Sequence, residues 1–253
     1  MLQVLFDHTF AELVQAWLAV LLASVVRSVT GFGFALVAIP VFSLFLSPAE
    51  SVVLCAALTL VSNISSLPTY RGYIPYTLLT PLIAWALLGT LIGTFFLVKL
   101  TPVQFQFLTG LSVVIACLVL LLAQPRAYRI NRGITAVAGL ISGIMNGILA
   151  IPGPPIILYV MATEQSAERA RALLLSFFLS SALFALIGFG LAGLIVLKSL
   201  WLIILTMPAV MIGNRVGYRL FKKLDGNDYR SLALGCLFIM GGLLMLKNLS
   251  SIN

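Results

Sequence analysis

The chain has 253 residues, of which 61% are hydrophobic and 9% are charged, and its formal net charge is +8. A soluble domain carries roughly 25% charged residues to keep its surface hydrated, so this composition excludes a soluble globular protein. The basic residues are scattered between apolar runs without an aromatic-interleaved basic patch, which argues against nucleic acid as a partner and is typical of the loops that orient a membrane protein.

Apolar segments follow one another along the chain and predict an all-α polytopic membrane protein. They are rich in Leu, Ala, Ile and Gly without strict alternation, which favours helices over a membrane β-barrel. In the first half they lie near 10–26, 32–46, 49–67, 76–98 and 103–123. In the second half they lie near 133–151, 155–163, 172–195, 199–217 and 229–247. The expected location is the bacterial inner membrane, crossed several times.

A short basic stretch divides the chain almost equally. We predict residues 1–123 as a first transmembrane repeat, 124–132 as a cytoplasmic linker and 133–253 as a second transmembrane repeat. An odd number of segments per half gives the halves opposite orientations, so the repeats are expected to be inverted, with broken or re-entrant helices. Of the 15 Lys and Arg residues, this topology leaves Lys99, Lys198 and Lys247 outside, as the positive-inside rule requires.

Each half contains one interrupted apolar stretch that is rich in Gly and Pro, residues 27–40 and residues 142–155. Glycine permits unwound backbone and proline removes amide donors, so a helix is expected to stop and restart in each stretch. A restarting helix directs free N–H groups and its positive end at the break, which favours an anion site. A kink or a tight helix crossing is the alternative interpretation.

Arg27 is the most informative single residue. It lies between two apolar runs, at a depth where charged side chains usually face protein or a cavity. Its planar guanidinium suits an oxyanion such as sulfite, sulfonate or carboxylate, and the alternative is a cytoplasmic boundary charge. The other predicted substrate-binding residues are Ser28, Thr30, Gly31, Gly33, Ser62, Asn63, Asn146, Gly147, Gly153, Pro154 and Ser180.

Polar clusters interrupt two long apolar segments at matching places. Ser62 and Asn63 lie in the first half, and Ser180 and Ser181 take the corresponding place in the second. Such groups can coordinate a substrate or a sodium ion, or they can form hydrogen bonds between helices. The pattern favours neither interpretation.

The acids near the predicted segments lie in loop-like stretches. Glu50 follows a Ser-Pro pair, while Glu164 and Glu168 are close enough in sequence to pair with Arg169 and Arg171. Each could carry a coupling proton, but solvated or paired loop charges are the favoured interpretation.

Motifs for nucleotide binding and catalysis are absent from the sequence. It contains no phosphate-binding loop, no Gly-x-Ser-x-Gly elbow and no His-Glu-x-x-His pattern. Its single histidine, His8, lies near the N-terminus, and its cysteines, Cys55, Cys117 and Cys236, stand apart. We therefore expect neither an enzyme nor a metal or other cofactor.

Two stretches resemble the paired signatures of the TauE/SafE sulfite exporter family. The first is Arg27-x-x-Thr30-Gly31-Phe32-Gly33-Phe34-Ala35-Leu36 with Pro40, and the second is Gly139-x-x-Ser142-Gly143-x-x-Asn146-Gly147 followed by Gly153-Pro154-Pro155. The resemblance covers nearly the whole chain, including its duplication and basic linker. It implies a permease for sulfite, sulfonates or other small organic anions, usually in the export direction. Phe34 and residues 147–152 depart from the Gly-x-Gly-Gly-Gly run of many members, so the family resemblance does not identify the anion.

The combined prediction is a secondary transporter that moves a small anion by alternating access between two repeats. Its expected partners are the anion and the lipid bilayer. A coupling proton or sodium ion and a homodimer are kept open. An anion channel and a membrane subunit without transport activity are the alternatives.

Overall fold

The computed structural model describes residues 10–30, 33–122, 131–164 and 166–221. Within these ranges the regular structure is helical, with no strand. The α-helices are α1 Phe10–Thr30, α2 Phe34–Phe42, α3 Pro48–Tyr70, α4 Tyr76–Leu97, α5 Pro102–Leu122, α6 Arg132–Leu149, α7 Gly153–Thr163, α8 Ala167–Leu191 and α9 Leu197–Phe221. The predicted all-α class is confirmed. Residues 124–130 of the predicted linker and the predicted segment near 229–247 lie outside the described residues.

Seven of the described helices are long and apolar enough to cross a membrane. The exceptions are α2, with 9 residues, and α7, with 11 residues, because a helical span needs about 20 residues. The long helices expose large apolar side chains to their surroundings, such as Leu18 on α1 and Phe95 on α4. In water such surfaces would be unfavourable, whereas lipid solvates them. The chain is a multi-pass membrane protein.

The two halves repeat one order of helix lengths. In each, a long helix is followed by a break, a short helix and further long helices. The ends of α1 and α6 are 119 residues apart (149 − 30), as are the starts of α2 and α7 (153 − 34) and of α3 and α8 (167 − 48). The three pairs of helix ends therefore share one constant offset. The repeat boundaries and the inverted orientation stay predictions.

Small residues hold α6 against α4. A Cβ added to Gly139 would lie 2.8 Å from a backbone oxygen of α4, and those of Gly143 and Gly147 would overlap backbone atoms of that helix. The three glycines meet the carbonyl oxygens of Leu82, Ala86 and Thr90, in that order. Because both sets of numbers rise together, the two helices run parallel. Glycine allows this close approach, as at many membrane helix crossings.

The same kind of contact joins α9 to α1. A Cβ at Gly217 would lie 2.6 Å from the Cβ of Ser28, and Gly213 packs in the same way against Ser24. Trp17 near the start of α1 donates a hydrogen bond to the carbonyl of Leu205 at 2.8 Å. The residue numbers of the contacting pairs again increase together along both helices, so α1 and α9 are parallel. The first helix of each half is therefore packed along the fourth helix of the other half.

Glu50 holds the start of α3 in place. Its carboxylate accepts hydrogen bonds from the backbone N–H and the hydroxyl of Ser47, and Ser47 in turn caps the helix. The same carboxylate pairs with Lys198 at 3.6 Å. Since Lys198 begins α9, the two helices start on the same side of the molecule. Glu50 is an ion-paired cap rather than the solvated loop charge that the sequence favoured.

Candidate anion-binding site

Both helix breaks are shorter than the sequence predicted. The helices α1 and α6 extend over most of the residues expected to be unwound, so Arg27 and Asn146 lie in the last turn of a helix. Among the described residues of the two breaks, Gly33 has a φ of 97° and Ala150 a φ of 53°. Left-handed backbone reverses the chain sharply and suits glycine best. Helical geometry, rather than unwound backbone, therefore orients the two polar side chains.

The two breaks border one small cavity of about 40 Å³, which we call the inner cavity. Its polar or break-forming lining residues are Arg27, Gly33, Thr59, Asn63, Asn146, Ala150, Ile151, Pro152 and Gly153. A few water molecules occupy a volume of this size, and a small oxyanion is of comparable dimensions. Both halves of the chain thus contribute to a single site.

Arg27 provides the charge of the inner cavity. Its side chain is 7% exposed, and Nη2 donates a hydrogen bond to Oδ1 of Asn63 at 2.7 Å. In the part of the chain that the structure describes, no carboxylate forms a salt bridge with this guanidinium. A buried cation that is paired only with a neutral amide is costly without a counter-charge. An anion in the inner cavity would supply that counter-charge.

Asn63 has a second function besides accepting from Arg27. Its side chain is 0% exposed, and Nδ2 has no hydrogen-bond partner within the described ranges. The hydroxyl of Tyr70 donates to the backbone carbonyl of Asn63 at 3.3 Å. A buried donor without a partner is unfavourable by about 1–3 kcal/mol. Because Asn63 lines the inner cavity, a bound anion can accept this N–H bond.

Asn146 occupies the place in the second half that Arg27 has in the first, since 146 − 27 equals the offset of 119. Its Nδ2 donates to the hydroxyl oxygen of Thr90 at 3.2 Å and to the carbonyl of Ser181 at 2.8 Å. Both amide protons are therefore used within the protein. Asn146 forms a fixed polar wall of the inner cavity and brings no charge.

The short helices α2 and α7 both begin at the inner cavity, and neither has a side-chain cap. The first turn of α2, Phe34–Leu36, lines the cavity and carries three backbone N–H groups that have no partner within the helix. In α7, Pro154 and Pro155 lack that group. Free N–H groups and the positive helix end attract anions, so α2 is the stronger donor of the two.

A larger cavity of about 530 Å³, which we call the vestibule, adjoins the inner cavity. It is lined by polar side chains from several helices, among them Ser28, Ser65, Thr69, Tyr73, Arg171 and Asn214. Among the residues that the structure describes, Arg27 is the one shared by both linings. A polar access route thus leads to the buried guanidinium.

The predicted site residues divide into four groups. Those that line the inner cavity are Arg27, Gly33, Asn63, Asn146 and Gly153. Ser28 lines the vestibule instead, where its hydroxyl donates to Oδ1 of Asn214 at 3.0 Å. Gly31 lies outside the described residues, as does the side chain of Thr30, although its backbone ends α1.

The remaining predicted site residues line neither cavity. They are Ser62, Gly147, Pro154 and Ser180. Gly147 packs against α4, which is the helix crossing that the sequence kept as an alternative. The hydroxyl of Ser180 donates to the carbonyl of Ser176 at 3.0 Å. Direct contact of these residues with a substrate stays a prediction.

Several residues of the site were not predicted. They are Thr90, Tyr70 and Asn214, and Thr90 is the one of them that its place as a polar residue within an apolar run could have identified. Arg171 was expected to pair with an acid, but its neighbour Arg169 holds Glu164 at 3.2 Å. The remaining acid, Glu168, accepts instead from the hydroxyl of Ser166 at 2.9 Å. Arg171 faces the vestibule.

Comparison with known proteins agrees with this architecture. The chain matches the family model described as sulfite exporter TauE/SafE over residues 16–244. It is 26% identical over 232 residues to the probable sulfite/organosulfonate exporter TauE of Cupriavidus necator, an alignment that covers 89% of this chain and 90% of that protein. No solved structure matches the chain significantly. The family match includes both helix breaks and nearly all of the membrane helices, and the chain belongs to the TauE/SafE sulfite exporter family of membrane transporters.

Proposed function

We propose that the protein is a secondary transporter that exports sulfite or a small organosulfonate across the bacterial inner membrane by alternating access. The observation that carries the proposal is the buried guanidinium of Arg27, which has no acidic partner in the described ranges and lies between the inner cavity and the vestibule. The name of the Cupriavidus relative, a probable sulfite/organosulfonate exporter, supports the substrate class. Sulfite and sulfonates both present three oxygens on one sulfur atom.

In the proposed complex the three oxygens accept from three kinds of donor. Arg27 supplies charge-assisted hydrogen bonds, which are about twice as strong as neutral ones. Nδ2 of Asn63 supplies one bond, and the first N–H groups of α2 supply the others. The inner cavity of about 40 Å³ accommodates the sulfur and its oxygens. The organic part of a sulfonate would extend into the vestibule.

The charges around the vestibule support loading of the substrate from the cytoplasm. Its lining comes from the last turns of α1 and α3, the beginning of α8 and the second half of α9. Arg71, Arg169, Arg215 and Arg219 lie at or near these helix ends, and the positive-inside rule assigns such ends to the cytoplasm. A vestibule open to the cytoplasm loads its substrate from inside the cell, as an exporter requires.

The reciprocal helix pairs support alternating access. Each half contributes its first helix to a parallel pair with the fourth helix of the other half, α1 with α9 and α6 with α4. Two inverted repeats that rock against each other around a central site are the usual basis of such transport. Neither Glu50, Glu164 nor Glu168 lines the inner cavity, so the proposal assigns the coupling of a proton to none of them.

The test is sulfite uptake into liposomes that contain the purified protein. We expect saturable transport by the wild type and a strong reduction in Arg27→Gln, which lacks the charge, and in Arg27→Lys, which lacks the planar fork of donors. Arg215→Gln is the matched control, since this arginine is exposed and lies on α9. Its transport should equal that of the wild type. Full transport by Arg27→Gln would overturn the proposed site.

The same assay separates the proposal from its alternatives. Flux that rises linearly with sulfite, together with single-channel currents in planar bilayers, would identify an anion channel. Failure of sulfite, an organosulfonate and a carboxylate to cross under any gradient would instead indicate a membrane subunit without transport activity.

A further inference from the structure

We propose that the vestibule contains a second anion subsite at Arg171, which collects the anion before it reaches Arg27. This inference rests on the proposed function and adds a binding step to it. Arg171 is exposed and lines the vestibule together with Arg27. An anion that enters the vestibule therefore meets two guanidinium groups in succession.

The acids near Arg171 interact with other residues, so its guanidinium is available to bind an anion. Within the described ranges it has no carboxylate partner at salt-bridge distance, whereas Arg169 is paired with Glu164 at 3.2 Å. Glu168 also lines the vestibule, but its carboxylate accepts from the hydroxyl of Ser166 at 2.9 Å. Two arginines and one glutamate give this lining a net positive charge.

The hydroxyl groups of the vestibule are poor competitors for an anion. Ser65 donates to the carbonyl of Val61 at 2.9 Å, and Thr69 donates to the carbonyl of Ser66 at 2.7 Å. A hydroxyl has one proton to donate, so these two side chains have none left for an anion. Among the described lining residues, Arg27 and Arg171 are the positively charged donors, which makes Arg171 the charged partner for an oxyanion in the outer part of the vestibule.

The subsite exists in one half of the chain alone. At the offset of 119 residues, Arg171 corresponds to Val52 (171 − 119 = 52). Val52 is 0% exposed and belongs to the hydrophobic core. An equivalent cavity that opened on the other side of the membrane would therefore lack this guanidinium. The subsite favours loading from the vestibule side, which is the direction that export requires.

A charge that collects the substrate acts over a distance and is sensitive to salt. The screening length is about 30 Å at 0.01 M ionic strength and about 3 Å at 1 M. Attraction by Arg171 should therefore raise the local sulfite concentration at low salt and have little effect at high salt. Removing the charge of Arg171 should therefore raise the KM for transport. The maximal rate should not change, because it depends on binding and release at the inner cavity.

The test compares Arg171→Gln with Arg169→Gln at both ionic strengths, by sulfite uptake in liposomes and by calorimetric sulfite binding in detergent. We expect Arg171→Gln to raise KM and Kd about 3- to 10-fold at low salt, with an unchanged maximal rate, and this difference to disappear at high salt. Arg171→Lys, which keeps the charge, should restore most of the affinity. Arg169→Gln removes the same charge outside the vestibule lining, so it should raise KM less than Arg171→Gln does.

The outcomes also separate the two proposals. Equal KM values for Arg171→Gln and the wild type at low salt, or equal shifts for Arg171→Gln and Arg169→Gln, would reject the subsite while sulfite export stands. Salt-dependent sulfite binding that requires Arg171 in a protein that transports no sulfite would support the subsite and reject the proposed function. No sulfite binding by the wild type would reject both.

Discussion

The two helix breaks occupy corresponding places in the two halves, but they present different chemistry to the inner cavity. At the first break Arg27 donates to Asn63. At the second break the corresponding residues are Asn146 and Ala182 (63 + 119 = 182), and the amide of Asn146 is satisfied within the protein. A repeated backbone thus brings two helix ends to one cavity, while the side chains assign the charge to one of them.

The two breaks also differ in the number of backbone N–H donors that they present, and the first break again has more. The first turn of α2 has three N–H groups without a partner in the helix, whereas Pro154 and Pro155 leave one such group at the start of α7. In the proposed complex the first break therefore supplies the donors that bind the anion, and the second break forms the opposite wall of the inner cavity. A two-fold arrangement of helices does not require a two-fold distribution of donors.

The largest expected effect comes from making the first break resemble the second. Arg27→Asn should lower kcat/KM for sulfite by about 10- to 150-fold, because a hydrogen bond to a charged group contributes about 1.5–3 kcal/mol. Uptake into liposomes measures this loss. Adding Asn146→Arg should not restore transport, since Ala182 offers that guanidinium no amide acceptor. Recovery in the double variant would show that the two breaks are interchangeable.

The next effect concerns the helix pairs that carry the breaks. Gly147→Ala should lower the free energy of unfolding by about 1–3 kcal/mol, because its Cβ would lie 2.6 Å from the backbone nitrogen of Thr94. Ser28 is the corresponding residue (28 + 119 = 147) and already has a Cβ, so Ser28→Ala should lose only one hydrogen bond, about 0.5–1.5 kcal/mol. Thermal unfolding in detergent compares the two variants. Unchanged stability with a raised KM in Gly147→Ala would instead favour direct substrate contact.

A smaller effect is expected at the residue that holds the guanidinium. Asn63→Ala should weaken sulfite binding about tenfold, the equivalent of one net hydrogen bond of about 1.4 kcal/mol. Ala182→Ser is the control at the corresponding place in the second half and should leave the affinity nearly unchanged. Sulfite titration calorimetry measures both. Equal losses in the two variants would contradict the division of functions between the breaks.

The smallest effect is expected at the turns themselves. Ala150 has a φ of 53°, and left-handed backbone is unfavourable for a residue with a Cβ by about 1–2 kcal/mol. Ala150→Gly should therefore raise the free energy of unfolding by up to about 1 kcal/mol, after the entropy of glycine is deducted. Gly33→Ala should lower it, since φ is 97° there. Thermal unfolding of both variants provides the measurement, and a destabilised Ala150→Gly would argue against this account of the second turn.

The sequence by itself determined the class of the fold and the position of the breaks. Runs of about 20 apolar residues predict membrane helices because hydropathy is a local property of the chain. Gly and Pro marked both interruptions for the same reason, since their effect on φ and on amide donors acts within one turn. Arg27 was identified because a charge between apolar runs is unfavourable unless it has a function.

Only the tertiary structure decided which residues act together. Arg27 and Asn63 are 36 residues apart and meet because α1 and α3 border the same cavity. Glu50 found its partner Lys198 across the two halves. Gly147 resembled a binding residue in sequence, but it packs against the backbone of α4. This contact depends on how α4 and α6 pack together, which the sequence near Gly147 does not specify. Local sequence fixes where a helix stops, whereas helix packing fixes which side chains face each other.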